Sequence, residues 1–502
     1  MKTSISLLMS CLLIISVCGV KEHQVTTSSK EALALYQDGV TLAEKFYDEA
    51  AIERFKQAVS LDSTFVMAYY YMSRSYESLG NFADAEKYIR KAVQFSGTTT
   101  PLEWKYAAAW EKILAQDYSG AVDILNDVFE DSPNDRHALF VIGKTYYLMS
   151  KNEKSLAALK KLIRLEPGYA PAYNQLGYIY REIGETEMAI ETFEKYIALA
   201  PDEANPYDSL GDLYRANGEN EKAIELYKKA FEAKPDFHTS FRNLGLSYLS
   251  SGRYDEAIAT YRKYLEKFTD RSRQRDAYTD LAQVYVAKGQ LSLALEAIEN
   301  AIELSETKLR KSAAIAAKGQ VYFTRQDYPG ALNLFNASLT IYPESIWGRE
   351  GRGKVFVKMR QFGDAIAEAD KMKNIIDKYG VDSFYRNYLS LMGDIAMHQG
   401  LYDESIMYYS DAMKYDVYDY SCHRCPLAEA YFRKGNTEKA IDLCNEILSF
   451  NENHAMTRFL LAQIYKDQNR TNLAKNEFKK LNEIWNDADK DLPELRIVKQ
   501  ML

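Results

Sequence analysis

The sequence predicts an all-α chain: an α-solenoid of about 13 helix-turn-helix repeats followed by a C-terminal capping helix. Two observations carry that prediction and a third agrees with it. Ala189, Ala223 and Ala257 follow one another at intervals of 34 residues, a period that marks stacked helical hairpins. Other columns recur with them: Gly177, Gly211 and Gly245 before each alanine, then Tyr180, Tyr214 and Tyr248, and Phe193, Tyr227 and Tyr261 after it. The 502 residues are 47% hydrophobic and 27% charged with only 11 Pro and 24 Gly, which suits a well-folded helical chain.

Each column has a physical reason. Tyr173, Leu176, Gly177 and Tyr180 fall at i, i+3, i+4, i+7 and make one apolar face of a first helix, as Ala189, Phe193 and Tyr196 do for a second. Gly177 and Ala189 are small enough to let the two helices approach closely. Gly184 can adopt the left-handed conformation that ends a helix, and Pro201 and Pro235 stop the second helices. Written as Tyr173-x-x-Leu176-Gly177-x-x-Tyr180, then Gly184, Ala189, Phe193 and Pro201, the unit resembles the tetratricopeptide repeat (TPR) family. That resemblance implies a right-handed superhelix.

Extended outward, the register is anchored on Ala51, Ala85, Ala121, Ser155, Ala189, Ala223, Ala257, Ala294, Ala331, Ala365, Ser405, Ala440 and Ala474. Extra residues before Ala121, Ala294, Ala331 and Ser405, most of all in 378–386, should lengthen turns or helix ends. The expected division is a signal peptide over 1–19, the solenoid over 20–486, and a capping helix over 487–502, where Leu492, Leu495, Val498 and Leu502 keep helical spacing.

The first residues join Lys2 to an apolar run from Ile5 to Val17, an export signal too short to span a bilayer comfortably. Ile15-Ser16-Val17-Cys18 resembles a bacterial lipobox, with Val17 where a smaller residue is preferred. Three outcomes fit, the first two being a lipid on Cys18 anchoring the chain at the outer membrane, or cleavage after Gly19 releasing a soluble periplasmic protein. An uncleaved anchor is the third.

In the family resembled, first helices line a concave groove. On that register the groove side chains are Tyr70 and Arg74; Phe140, Lys144 and Tyr147; Asn174, Tyr178 and Arg181; Asp208, Asp212 and Arg215; and Arg242. Aromatic faces mixed with Arg forks suit a protein or peptide segment, because Tyr and Arg dominate binding hot spots. The Lys/Asn clamp by which some members grip a chain terminus is missing, since Asn174 and Tyr178 stand at its positions. The resemblance therefore implies a scaffold or adaptor at the bacterial envelope, with a periplasmic receptor for a glycan or other small ligand as the alternative.

Other chemistry finds little support. A net charge of −8 offers no basic field for nucleic acid. Gly348-Arg349-Glu350-Gly351-Arg352-Gly353-Lys354 has phosphate-loop spacing, but Val355 replaces the required Ser or Thr and no strand precedes it. Cys422, Cys425 and Cys444 lack the second paired motif of a structural zinc site and read as a disulfide or as buried thiols. No metal, cofactor or catalytic residue is expected. Asp208 and Asp212, four apart on one helix, are the nearest approach to a catalytic pair.

Overall fold

A computed structural model describes residues 25–415 and 423–502. Among the described residues there are 27 α-helices and no β-strand. They divide into two compact units, Met1–Pro201 and Asp202–Leu502.

Unit one holds five hairpins: Lys30–Glu44 with Asp48–Leu61, Val66–Ser78 with Phe82–Gln94, Pro101–Leu114 with Tyr118–Asp131, Arg136–Leu148 with Asn152–Leu165, and Ala170–Glu182 with Thr186–Leu199. Unit two holds eight more, numbered six to thirteen. They are Ala204–Ala216 with Asn220–Ala233, His238–Ser250 with Tyr254–Lys267, Arg271–Ala287 with Leu291–Glu303, and Lys308–Thr324 with Tyr328–Ile341. The last four are Ile346–Lys358 with Phe362–Tyr379, Tyr385–Gln399 with Tyr402–Ala412, Arg424–Lys434 with Thr437–Phe450, and Ala455–Asp467 with Thr471–Ile484, and the helix Pro493–Met501 follows them.

The hairpin is held by one recurrent contact. In six of the thirteen hairpins a glycine on the first helix lies under an aromatic ring sixteen residues later. A Cβ added at Gly177 would stand 2.4 Å from Phe193, one at Gly211 2.8 Å from Tyr227, and one at Gly393 2.7 Å from Tyr409. The small-residue column faces the same seam: Ala189, Ala223 and Ala257 are fully buried. Where serine replaces alanine, its hydroxyl donates to the glycine's carbonyl, Ser155 to Gly143 at 2.7 Å and Ser405 to Gly393 at 3.0 Å. Every one of the thirteen turns inside a hairpin contains a residue of positive φ; glycine occupies seven, and Phe46, Gln116, Ser150, Gln326, Arg360 and Asn469 the rest.

The extra residues lengthen helices. Arg271–Ala287 and Lys308–Thr324 have 17 residues and Phe362–Tyr379 has 18, against 13 or 14 in most others. The phosphate-loop look-alike lies inside the helix Ile346–Lys358, where Gly351 sits against Phe335 and Gly353 against Leu391. Those glycines serve close packing. The terminal helix begins at Pro493, with Leu495 and Val498 buried and Leu502 exposed.

Unit two folds back on itself. The turns at Gly218, Gly252 and Gly289 meet Phe450, Asn451 and Trp485, about 200 residues further along the chain. Tyr254 donates its hydroxyl to the Asn453 carbonyl at 3.0 Å, and Asn453 Nδ2 donates to the Gly252 carbonyl at 3.1 Å. Asp489 accepts from the Ser292 backbone and hydroxyl at 2.7 Å and pairs with Arg325 at 3.1 Å, while its own N–H donates to the Gly289 carbonyl at 3.0 Å. The segment after the last hairpin thus caps that hairpin and also latches it to hairpins eight and nine.

Candidate functional site

Each unit has a cavity on the side lined by first helices. The cavity of unit one, about 360 Å³, is bounded by hairpins one, two, four and five. Its centre is Arg74. The guanidinium lies 5.7, 5.1, 5.6 and 5.7 Å from the ring centroids of Tyr70, Tyr71, Trp110 and Phe140. Behind these rings His137 is caged, with Nε2 2.6 Å from the Tyr70 hydroxyl and Nδ1 3.3 Å from that of Tyr71. Burial, and then the charges of Arg74 and Arg136, hold that imidazole well below its usual pKa, so it is neutral.

The opposite wall is acidic. Glu44 ends the first helix of hairpin one and Asp48 begins the second. Asp48 is 8% exposed and accepts from Ser78 at 2.7 Å. Burial raises the pKa of both carboxyls, opposed at Glu44 by Arg136 and a hydrogen bond from Tyr169 and at Asp48 by the bonds from Ser78 and Ser75. Lys144 and Glu77 complete the rim as an ion pair at 2.9 Å.

Six of the expected groove residues line this cavity: Arg74, Phe140, Lys144, Tyr147, Asn174 and Tyr178. Tyr70 is fully buried behind it, and Arg181 stacks on the Tyr178 ring at 4.9 Å without reaching the lining. Glu44, Asp48, Tyr71 and Tyr169 escaped the sequence reading because it assigned inward positions only on first helices of units two and four to seven. Glu44 belongs to hairpin one, Asp48 starts a second helix and Tyr169 lies in a loop. Tyr71 adjoins two other tyrosines that take the core, and no spacing rule separates them.

In unit two the remaining expected residues lie along the same side of hairpins six and seven, and three of them share one hydrogen-bond network. Asp208 accepts from Ser240 at 2.7 Å and Asn243 at 3.4 Å; Asp212 accepts from Tyr227 at 2.6 Å and Asn243 at 3.2 Å; Arg215 lies 3.5 Å from Asp212. Burial, then the neighbouring Asp212, raises the pKa of Asp208. The two carboxylates considered for catalysis are therefore members of a buried hydrogen-bond network. Arg242 donates to Asp280 at 3.0 Å and opens onto a second cavity of about 830 Å³.

That cavity runs along the first helices of hairpins seven to eleven. Its floor is small, with Ala313, Ala314, Ala316, Ala317 and Gly351, and Trp347 stands at one wall. Arg242 and Arg275 are paired with Asp280 and Asp276. Arg310 and Arg386 have no ion-pair partner among the described residues. These positions were missed because the insertions shift hairpins eight to eleven off the strict 34-residue register. Among the described residues Cys425 and Cys444 are free thiols, with burial pushing Cys425 up to about 11 and Cys444 higher still. Cys422 and Cys18 lie outside the described residues.

Comparison with known proteins bears on the family. Three models described as tetratricopeptide repeat match this chain, at 209–272 and 279–346, at 170–236, and at 68–98, 137–169 and 457–484. A TPR repeat-containing protein of Methanocaldococcus jannaschii is 23% identical over 188 residues, 38% of this chain and 31% of the relative. A tetratricopeptide repeat protein 21 homolog of Caenorhabditis elegans is 22% identical over 249 residues, 42% of this chain and 18% of the relative. The chain thus spans a third or less of these curated relatives. Among solved structures, MamA is 34% identical, with 32% of this chain and 93% of MamA covered and a TM-score of 0.29. The Cut9–Hcn1 hetero-tetramer of the APC/C is 11% identical over 94% of this chain and 97% of its own, with a TM-score of 0.36.

Proposed function

This chain belongs to the tetratricopeptide repeat family, and from that premise we propose that it is an exported bacterial scaffold that holds an acidic segment of a partner protein along the inner side of unit two. The observation that carries this reading is the 830 Å³ cavity with its row of alanines and the two guanidinium groups of Arg310 and Arg386, for which the described residues supply no ion-pair partner. A row of small side chains leaves room for a main chain to lie close. Trp347 supplies an aromatic face, and unpaired Arg forks select carboxylates in bidentate geometry. Export, and attachment through a lipid on Cys18 or release after Gly19, rest on the amino-terminal sequence.

Crosslinked affinity capture of the mature protein from its own cell envelope tests this. The wild type is compared with a variant carrying Arg310→Glu and Arg386→Glu. One or a few stoichiometric proteins retained by the wild type and lost by the variant is the expected result. A capture that the reversal leaves unchanged removes unit two as the partner site.

A further inference from the structure

We propose that the cavity of unit one is a receptor site for a small zwitterion, a molecule of amino-acid or short-peptide size carrying one carboxylate and one ammonium group on an aromatic or apolar body. The site is distinct from the partner site of unit two, so either proposal can fail alone.

A charge held partly out of water needs a counter-charge, and of the five charged residues that line this cavity two have one, Lys144 and Glu77, which meet at 2.9 Å. Three do not. Among the described residues no carboxylate reaches Arg74 and no cation reaches Glu44 or Asp48 at ion-pair distance, and all three line the same 360 Å³ space. They are also sorted by sign. The guanidinium rises from the middle of the first helix of hairpin two among its four rings; both carboxyls come from the turn of hairpin one. The cavity thus offers a guanidinium from one hairpin and two carboxyls from another.

Ligand chemistry follows from what would satisfy both ends. An inorganic anion would meet Arg74 and leave the carboxyls of Glu44 and Asp48 unmatched; a simple amine would do the reverse. A ligand with both groups satisfies both. Its carboxylate takes the guanidinium fork, and its ammonium sits between Glu44 and Asp48, whose pKa values burial now holds high. Its body lies against Tyr71, Phe140 and Tyr169, whose faces also attract a cation. The volume lies near the lower end of the roughly 300–1,000 Å³ usual for small-molecule pockets, which favours an amino acid or dipeptide over a glycan chain.

Calorimetric titration of the mature full chain tests the proposal with four probes: L-phenylalanine, the dipeptide alanyl-phenylalanine, 3-phenylpropionate and 2-phenylethylamine. At least one zwitterion is expected to bind, with the carboxylate-only and amine-only analogues weaker by roughly tenfold or more. Which zwitterion binds more tightly separates a free amino acid from a peptide source. Arg74→Gln, and Glu44→Gln combined with Asp48→Asn, should each abolish zwitterion binding at unchanged helical content. The analogue series on wild-type protein decides the matter even if a variant fails to fold. Absence of binding by both zwitterions, equal binding of phenylalanine and phenylpropionate, or full binding by Arg74→Gln would overturn it.

Discussion

Arg74 in unit one and Arg242 in unit two hold inward positions on first helices, yet their surroundings differ. Arg74 is ringed by Tyr70, Tyr71, Trp110 and Phe140, with no carboxylate in reach among the described residues. Arg242 bonds Asp280 at 3.0 Å and lies 3.6 Å from Asp276. The same seam recurs in both units, as where Gly177 lies under Phe193 and Gly211 under Tyr227. Packing therefore constrains the seam columns, and the inward positions are free to diverge, so that Arg74 stands among rings while Arg242 stands among carboxylates. Closure differs too: unit two is latched by the chain's last residues, whereas unit one brings the turn of hairpin one to hairpin five, where Tyr169 bonds Glu44.

The largest effect should come from breaking the latch. Trp485 is 4% exposed, packs on Gly289 and donates Nε1 to the Ala287 carbonyl at 3.4 Å. Trp485→Ala should cost about 3–5 kcal/mol in denaturant unfolding of unit two. A loss below about 1 kcal/mol, within the range of an ordinary surface change, would show that the return contacts add little and that unit two is held by neighbouring hairpins alone.

Next comes the shared chassis. Gly177→Ala in unit one and Gly211→Ala in unit two place a Cβ 2.4 and 2.8 Å from a buried ring and should each cost about 1–3 kcal/mol by overpacking. Similar losses would support the common seam. A large loss in one unit with none in the other would mean that the seam, as well as the inner face, differs between them.

The polar interior of unit two should appear in the pH dependence of stability. Burial, with Asp212 second, raises the folded pKa of Asp208 above its unfolded value, so the folded state holds this proton more tightly. Its contribution to stability is fully present below the unfolded pKa, about 4, and is lost as pH rises towards the folded value. Melting temperatures of wild type and Asp208→Asn, measured from pH 4 to 8, should therefore show the wild type losing ground to the variant as pH rises. Parallel curves would show that Asp208 does not titrate across this range.

The helical hairpins and their number were legible because Gly177, Ala189 and Phe193 answer to a periodic constraint: each must fit one neighbour at one spacing. Arg74 and five other inward residues were placed by the register of the family the chain resembles, not by a packing constraint of their own. Glu44, Asp48 and Tyr169 were not, because what joins them is curvature, which brings hairpin one to hairpin five and leaves no local signature. The latch through Trp485 and Asp489 was hidden likewise, its partners lying nearly 200 residues away. Leu492, Leu495 and Val498 gave the capping helix by spacing, while the turn before it, which makes the latch, has no period.

The smallest effect concerns the turns, where the two units should behave alike. Gln116 in unit one and Gln326 in unit two both have φ of 61°, in the left-handed region where a Cβ crowds the following carbonyl. The strain is about 1–2 kcal/mol, and glycine at the same place avoids it while losing roughly 0.4–1 kcal/mol through the greater freedom of its unfolded chain. Gln116→Gly and Gln326→Gly should therefore each stabilise by about 0.5 kcal/mol, read as a shift in denaturant midpoint at constant m-value. Seven of the thirteen turns already carry glycine here, which agrees in sign. Stabilisation at one turn and destabilisation at the other would mean that the side chain makes a compensating contact in only one unit, and the comparison would then extend to the turns.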